Sequence, residues 1–318
     1  MTFPEVICVG RISVDLYAIE KNVGFDGPQS FTKSVGGSPT NVAVAAARLG
    51  RHAAIVTKVG SDGLGAFALN QLVKWGVDVD HVGIDPDRQT PLALTALNPA
   101  ETPQIAFYRG NAAPDTTLLA SDLATEEVQT CGVLWVSHGA LAQGTTAAAA
   151  MTWLELRGRV GHTVLDLDYR PALWPDLETS RRMSLRAIGL STVVIGNLEE
   201  CEMALGTRDP EEAVAALLSA GVEIAVVKMG SAGVYLATRD DRFTIDPLRV
   251  EVVSGLGAGD AFGGALSHGL LSGWTPDVIG QFANAAGALV AGRMACAEAM
   301  PTIDEIEEVL KTKVKETC

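Results

Sequence analysis

The stretch V-S-G-L-G-A-G-D-A-F, residues 253–262, sets the organisation of the chain. Gly255, Gly257 and Gly259 stand at alternate positions and leave the backbone without Cβ atoms, so its N–H groups can turn inward and let an anion come close. Asp260 follows directly, and the small, apolar run 261–271 reads as a helix. The first N–H groups of a helix are unpaired and its dipole is positive at that end, so the junction suits an anion. A carboxylate fixed beside such a site can take a proton from a hydroxyl that attacks the anion, which is the requirement of phosphoryl transfer. A glycine-rich turn with an acidic first-turn residue would explain the same letters structurally. The tight G-A-G-D junction into a helix of small residues favours the functional reading. No glycine in the chain is followed by lysine, which excludes a Walker A loop, and Phe262 stands where a dinucleotide fingerprint needs its third glycine.

Around that stretch, 318 residues allow one large or two small domains with an ample core. Hydrophobic residues make up 47%, in the globular range. With 24 basic and 38 acidic residues the net charge is −14, a balance that repels nucleic acid and anionic membrane and points to a small-molecule partner. An anionic partner would need local arginines to overcome that field. Cys8, Cys131, Cys201, Cys296 and Cys318 are scattered without a C-x-x-C, which reads as reduced thiols rather than a disulfide frame or a zinc site. The first five residues hold no basic region or apolar run, and every apolar segment is broken by Gly, Asp, Arg or Pro. No signal peptide or membrane span is expected, and the expected location is cytoplasmic.

Short, unalternating apolar runs at 6–9, 53–59, 133–137, 163–167, 192–195 and 224–228 read as strands buried on both faces. Helical stretches at 39–49, 66–75, 146–157, 181–188 and 210–220 fall between them, so the fold class is α/β with a doubly wound, mostly parallel sheet. Ligands of such sheets sit beyond the carboxyl ends of the strands, where Asp168, Asn197 and Lys228 fall. The alternating segment 12–19, and a hairpin of 92–97 with 104–109 turning near 98–103, predict a small sheet projecting as a lid. Ser38 is the expected cap of the first helix, with Pro39 in its first turn and Gly50 at its end. Gly36-Gly37 before it would admit a polar ligand to backbone N–H groups, and Asn41 would face the same place; a well-capped structural helix is the alternative.

Asn197 and Glu200, three apart, could orient water around Mg²⁺ or form a capping box. Arg109 and Arg170 close two elements towards the expected cleft, and guanidinium forks suit a carboxylate or phosphate, so an acidic substrate is reasonable. The small residues Ala285, Ala286, Gly287 and Ala288 serve either a flat ligand or tight helix packing, and packing is favoured. Thr302 and Glu305 form a capping box for the last helix. The five histidines show no ligand or triad spacing.

Two segments together resemble the signatures of the ribokinase-like (PfkB) carbohydrate kinases: Gly36-Gly37-Ser38-Pro39-Thr40-Asn41 running on to Gly50 and Gly60, and Leu256-Gly257-Ala258-Gly259-Asp260-Ala261-Phe262. Asn197-x-x-Glu200 matches the family's magnesium-associated motif, and the resemblance spans essentially the whole chain. It implies a three-layer α/β/α sandwich as a single domain over residues 1–318, with lid segments at about 11–35 and 90–112. It implies ATP and Mg²⁺, with Asp260 as catalytic base and the N–H groups of Gly257, Ala258 and Gly259 as the anion hole. Asp15 and Asn41, beside Gly36 and Gly37, would hold sugar hydroxyls. Asn197, Lys228, Gly230, Gly233, Gly255 and Asn284 would line the nucleotide site, and Asn197 with Glu200 the metal.

Ser254-Gly255 stands where the family usually has Asp-Thr, so a side-chain contact to nucleotide is in question. The segments 10–16, 166–174 and 297–302 are similar to 5-dehydro-2-deoxygluconokinases of inositol catabolism. Related 2-keto-3-deoxygluconate kinases carry arginines matching Arg109 and Arg170, and both substrates are sugar acids. Fructokinase and a sugar- or nucleotide-binding regulator on a kinase scaffold remain alternatives. Lid edges often pair in this family, which makes a homodimer through the lid the assembly to test.

Overall fold

β-Branched apolar runs build the centre of the molecule because both faces of each strand can be covered by helices. The structure, a computed structural model, describes residues 3–20, 22–98, 103–109 and 112–316. Residues 1 and 2, Lys21, the expected hairpin tip 99–102, Gly110, Asn111, Thr317 and Cys318 lie outside the described residues, and with them parts of both expected lid segments. The strands are β1 (Val6–Val9), β2 (Ser13–Ala18), β3 (Phe31–Gly36), β4 (Ala53–Gly60), β5 (Val82–Asp85), β6 (Leu92–Ala96), β7 (Gln104–Tyr108), β8 (Val133–Ser137), β9 (His162–Asp166), β10 (Val193–Asn197), β11 (Ile224–Lys228), β12 (Val234–Ala237) and β13 (Arg242–Ile245). The helices are α1 (Ser38–Arg48), α2 (Gly63–Lys74), α3 (Thr125–Thr130), α4 (Gly144–Arg157), α5 (Leu177–Ile188), α6 (Leu198–Leu205), α7 (Pro210–Ser219), α8 (Ala258–Leu271), α9 (Pro276–Ala291) and α10 (Ile303–Glu316).

The large sheet runs β13-β12-β11-β10-β9-β8-β1-β4-β5 and is parallel except for β12, which pairs antiparallel with both β11 and β13. Successive side chains of a strand face opposite sides, and β1 shows the result. Val6 and Cys8 join a core with α1, α8 and α9, whereas Ile7 and Val9 join a second core with α4, α5, α6 and α7. Three layers follow. The chain winds outward from β1 through β4 to β5, then returns to β8 on the other side of β1. Strand order therefore reverses between β1 and β8, which opens a crevice at their carboxyl ends.

The second sheet, β3-β2-β6-β7, joins the two sequence segments through a parallel pairing of β2 with β6, Val14 opposite Leu92. It is tied to the body by Tyr17 Oη against Cys296 Sγ at 2.8 Å and by the Ser34 hydroxyl donating to Glu298.

Three details differ from the sequence expectation. The cap of α1 is Gly37, at φ 102°, and Ser38 is already helical. α8 begins at Ala258, so Asp260 lies inside its first turn rather than before it. The strands β3, β5, β12 and β13 were not expected: F-T-K-S-V-G is mostly polar, and the others are four-residue edge or near-edge strands with partly exposed faces.

Candidate active site

The crevice collects side chains from the carboxyl ends of β1, β9, β10 and β11. Asp260 sits in the first turn of α8, reached from α1 by Asn41, whose Nδ2 donates to Asp260 Oδ2 at 2.8 Å. α1 and α8 can approach this closely because Gly264 lies where a Cβ would run into Ala45. Burial pushes the Asp260 carboxyl up to about 6, against the hydrogen bonds from Asn41 and Ser38; Asp168 adds to the rise and Lys228 opposes it. Asn41 is buried, and its Oδ1 has no partner among the described residues. An acceptor so placed beside a carboxylate suits a hydroxyl-bearing ligand that can donate to one and accept from a neighbour.

The turn before α8 keeps its donors free. Leu256 N–H reaches Ser254 Oγ at 3.3 Å and Ala261 N–H reaches the Gly257 carbonyl at 2.9 Å. Among the described residues no acceptor stands opposite the N–H groups of Gly257, Ala258 and Gly259, the ordinary condition of a helix's first turn. Gly257 is left-handed at φ 81°, and a Cβ there would press on Cys296. Lys228, from the end of β11, lies so near that a Cβ on Gly259 would stand 3.2 Å from Nζ. Burial alone would lower its pKa, but Asp166, Glu200, Asp260 and Asp168 together hold it raised. A fixed ammonium thus lies beside free helix donors and a carboxylate with a raised pKa, an arrangement that binds a transferring anion.

On the lid side, Asp15 of β2 accepts from Ser13 Oγ at 2.7 Å, and burial pushes its carboxyl up to about 6. A Cβ on Gly36 would fall on that carboxylate, and one on Gly37 on the Arg11 carbonyl. The glycine pair therefore makes room for protein groups at the site. Ser38, expected as a cap, instead turns its hydroxyl to Asp166 Oδ2 at 3.3 Å and to Asp260.

The two arginines are not free forks. Arg109 holds buried Asp115 bidentately, at 2.7 and 3.2 Å. Arg170 Nη2 forms an ion pair with Asp168 Oδ1 at 2.8 Å and keeps 46% of its side chain exposed, the more available of the two. Asp168 is also held by Arg11 Nη2 at 2.5 Å. Arg11, directly after the first buried strand, had no role assigned from sequence, and only the fold brings it to Asp168.

Asn197 and Glu200 form a reciprocal capping box at α6, at 2.9 and 2.7 Å. Glu200 is nonetheless buried among the charges facing Lys228 and Arg170. Gly230 and Gly233, at φ 60° and 89°, bracket the turn after β11. Asn284 Nδ2 holds the Asp246 carbonyl at 2.9 Å, and Gly255 is exposed in the loop before α8. Ala285, Ala286 and Gly287 are buried in helix packing, Gly287 against the Ala258 carbonyl. Among the described residues no three His, Cys, Asp or Glu side chains converge as a metal cage, and no helix is long and apolar enough to cross a membrane.

Residues 4–303 match the model of the pfkB family carbohydrate kinases. The chain is 32% identical to a 5-dehydro-2-deoxygluconokinase of Geobacillus thermodenitrificans, covering 96% of this chain and 93% of the relative. It is 30% identical to that of Bacillus subtilis, covering 97% and 96%. Among solved structures, an E. coli protein designated a ribokinase II, in complex with ATP and Mg²⁺, superposes with a TM-score of 0.87 at 26% identity, covering 97% and 99% of the two chains. A fructokinase from Vibrio cholerae with fructose, ADP and calcium bound gives 0.85 at 27% identity, covering 97% and 99%.

Proposed function

The chain belongs to the pfkB family of carbohydrate kinases, and from that premise we propose that it moves the γ-phosphoryl group of ATP to the terminal hydroxyl of a keto-deoxy sugar acid. The first candidate is 5-dehydro-2-deoxy-D-gluconate, an intermediate of inositol catabolism, and relatives of that name support it. The observation that carries the reading is the Asp260 carboxylate in the first turn of α8, fixed by Asn41 and flanked by unpaired N–H groups and Lys228.

In this reading Asp15 and Asn41 orient the sugar, and Asp260 accepts the proton of the attacking hydroxyl. The N–H groups of Gly257, Ala258 and Gly259, with Lys228, stabilise negative charge on the transferring group. Gly230, Gly233, Gly255, Asn197 and Asn284 border the nucleotide. Mg²⁺, when bound, would neutralise phosphate charge; it is usually held by one or two carboxylates besides phosphate and water. Glu200, beside Asn197 and among the carboxylates around Lys228, is the residue placed to meet it directly or through water. Arg170, exposed at the mouth, receives the substrate carboxylate, and Arg109 stiffens the lid side through Asp115.

The same arginines would serve 2-keto-3-deoxygluconate. ADP release measured across both acids, fructose and matched neutral sugars separates these readings by kcat/KM. The sugar acids are expected to lead; no ADP with any of them would favour a binding regulator instead. A homodimer through the small sheet is part of the proposal, supported by the exposed Ile105, Phe107 and Tyr108 on its edge strand β7, and sedimentation would test it.

A further inference from the structure

We propose that Asp168 is the positioning residue of acid recognition: locked from beneath by Arg11, it sets the Arg170 guanidinium where a substrate carboxylate meets it. The inference rests on the sugar-acid reading above. Asp168 follows β9, Arg11 follows β1, and the two meet at the crevice where strand order reverses. One carboxylate oxygen takes Arg11 Nη2 at 2.5 Å and the other takes Arg170 Nη2 at 2.8 Å, so a single carboxylate bridges two guanidinium groups. The two arginines differ in exposure. The side chains of Arg11 and Asp168 are 10% and 5% exposed, whereas that of Arg170 is 46% exposed.

Each member then has a distinct task. Arg11 is a fixed buried cation, and its carbonyl is itself held by Thr40 Oγ1 of α1 at 2.8 Å. Asp168 compensates that buried charge, which would otherwise be costly. Its second oxygen removes rotamer freedom from a long, exposed arginine that would otherwise lose that entropy on binding. Arg170 keeps further N–H donors for a ligand, because a guanidinium has five.

The test uses the whole enzyme and reads KM and kcat for 5-dehydro-2-deoxygluconate, 2-keto-3-deoxygluconate and a neutral ketose. The double variant Arg11→Met/Asp168→Leu replaces a buried ion pair by apolar groups, a change buried pairs often tolerate, and keeps the net charge. Its KM for the acids should rise roughly tenfold or more, the order expected for loosening a charge-assisted hydrogen bond, and its preference for acid over ketose should fall in step. Adding Arg170→Ala to that background should then cost far less than Arg170→Ala costs alone, because Asp168 acts through Arg170. Asp168→Asn, which keeps shape and one acceptor, should show the same KM rise if the double variant does not fold. Unchanged acid KM in a folded variant, or full additivity with Arg170→Ala, would overturn the proposal while leaving the acid reading intact. A wild-type enzyme with no preference for acids over the ketose would overturn both.

Discussion

Asn41 Nδ2 lies 2.8 Å from Asp260 Oδ2, joining the first turn of α1 to the first turn of α8. Two segments more than two hundred residues apart thus share one hydrogen bond, and that bond both aims the carboxylate and tunes its acidity.

The pH dependence of turnover follows from it. A base works only when ionised, and burial pushes Asp260 up to about 6, so kcat/KM should fall tenfold per pH unit below about 6. Asn41→Ala removes a bond that lowers this pKa and should move the acid limb up by roughly half to one unit. Asp15 is also pushed up to about 6, but Asn41 bonds Asp260, so an unmoved limb would assign the titration elsewhere.

Neighbouring glycines should fail in different ways. Gly37 is left-handed at φ 102°, with the Arg11 carbonyl where a Cβ would go, so Gly37→Ala should destabilise by about 1–3 kcal/mol and lower Tm. Gly36 has no such backbone constraint, and its Cβ would displace the Asp15 carboxylate. Gly36→Ala should therefore raise the sugar KM with a smaller change in Tm. Equal loss of Tm with an unaltered sugar KM would remove Asp15 from the sugar site.

Lys228 stands against four carboxylates, Asp166, Glu200, Asp260 and Asp168. Lys228→Met should lower kcat by roughly 10²–10³, the scale of losing one donor to the transition state. It should also shift the acid limb upward, since an opposing positive charge near Asp260 is gone. A fall in ATP affinity alone, with kcat intact, would make Lys228 a nucleotide contact only.

The central sheet was legible because strands buried on both faces read as unbroken apolar runs; β1, β8 and β11 fall at the expected residues. The lid was legible through period-2 alternation in β2, but its partner β3 was not, because F-T-K-S-V-G carries little apolar signal and takes its place from pairing alone. Asp260 announced itself through the glycines before it. Arg11 did not, since nothing local distinguishes a buried arginine from a surface one; only the meeting of β1 and β9 residues at Asp168 gives it a role. The Asn197–Glu200 spacing fitted two readings, and the capping box is the one whose bonds are formed in the structure.

Asp260→Asn tests the central claim most directly, with ADP release followed in the presence of 5-dehydro-2-deoxygluconate and ATP binding followed by calorimetry. The variant should lose roughly 10²–10⁴-fold in kcat and retain its affinity for ATP, because the amide keeps the shape and removes only the base. Turnover close to that of the wild type would contradict the assignment of Asp260 and, with it, the account of the site.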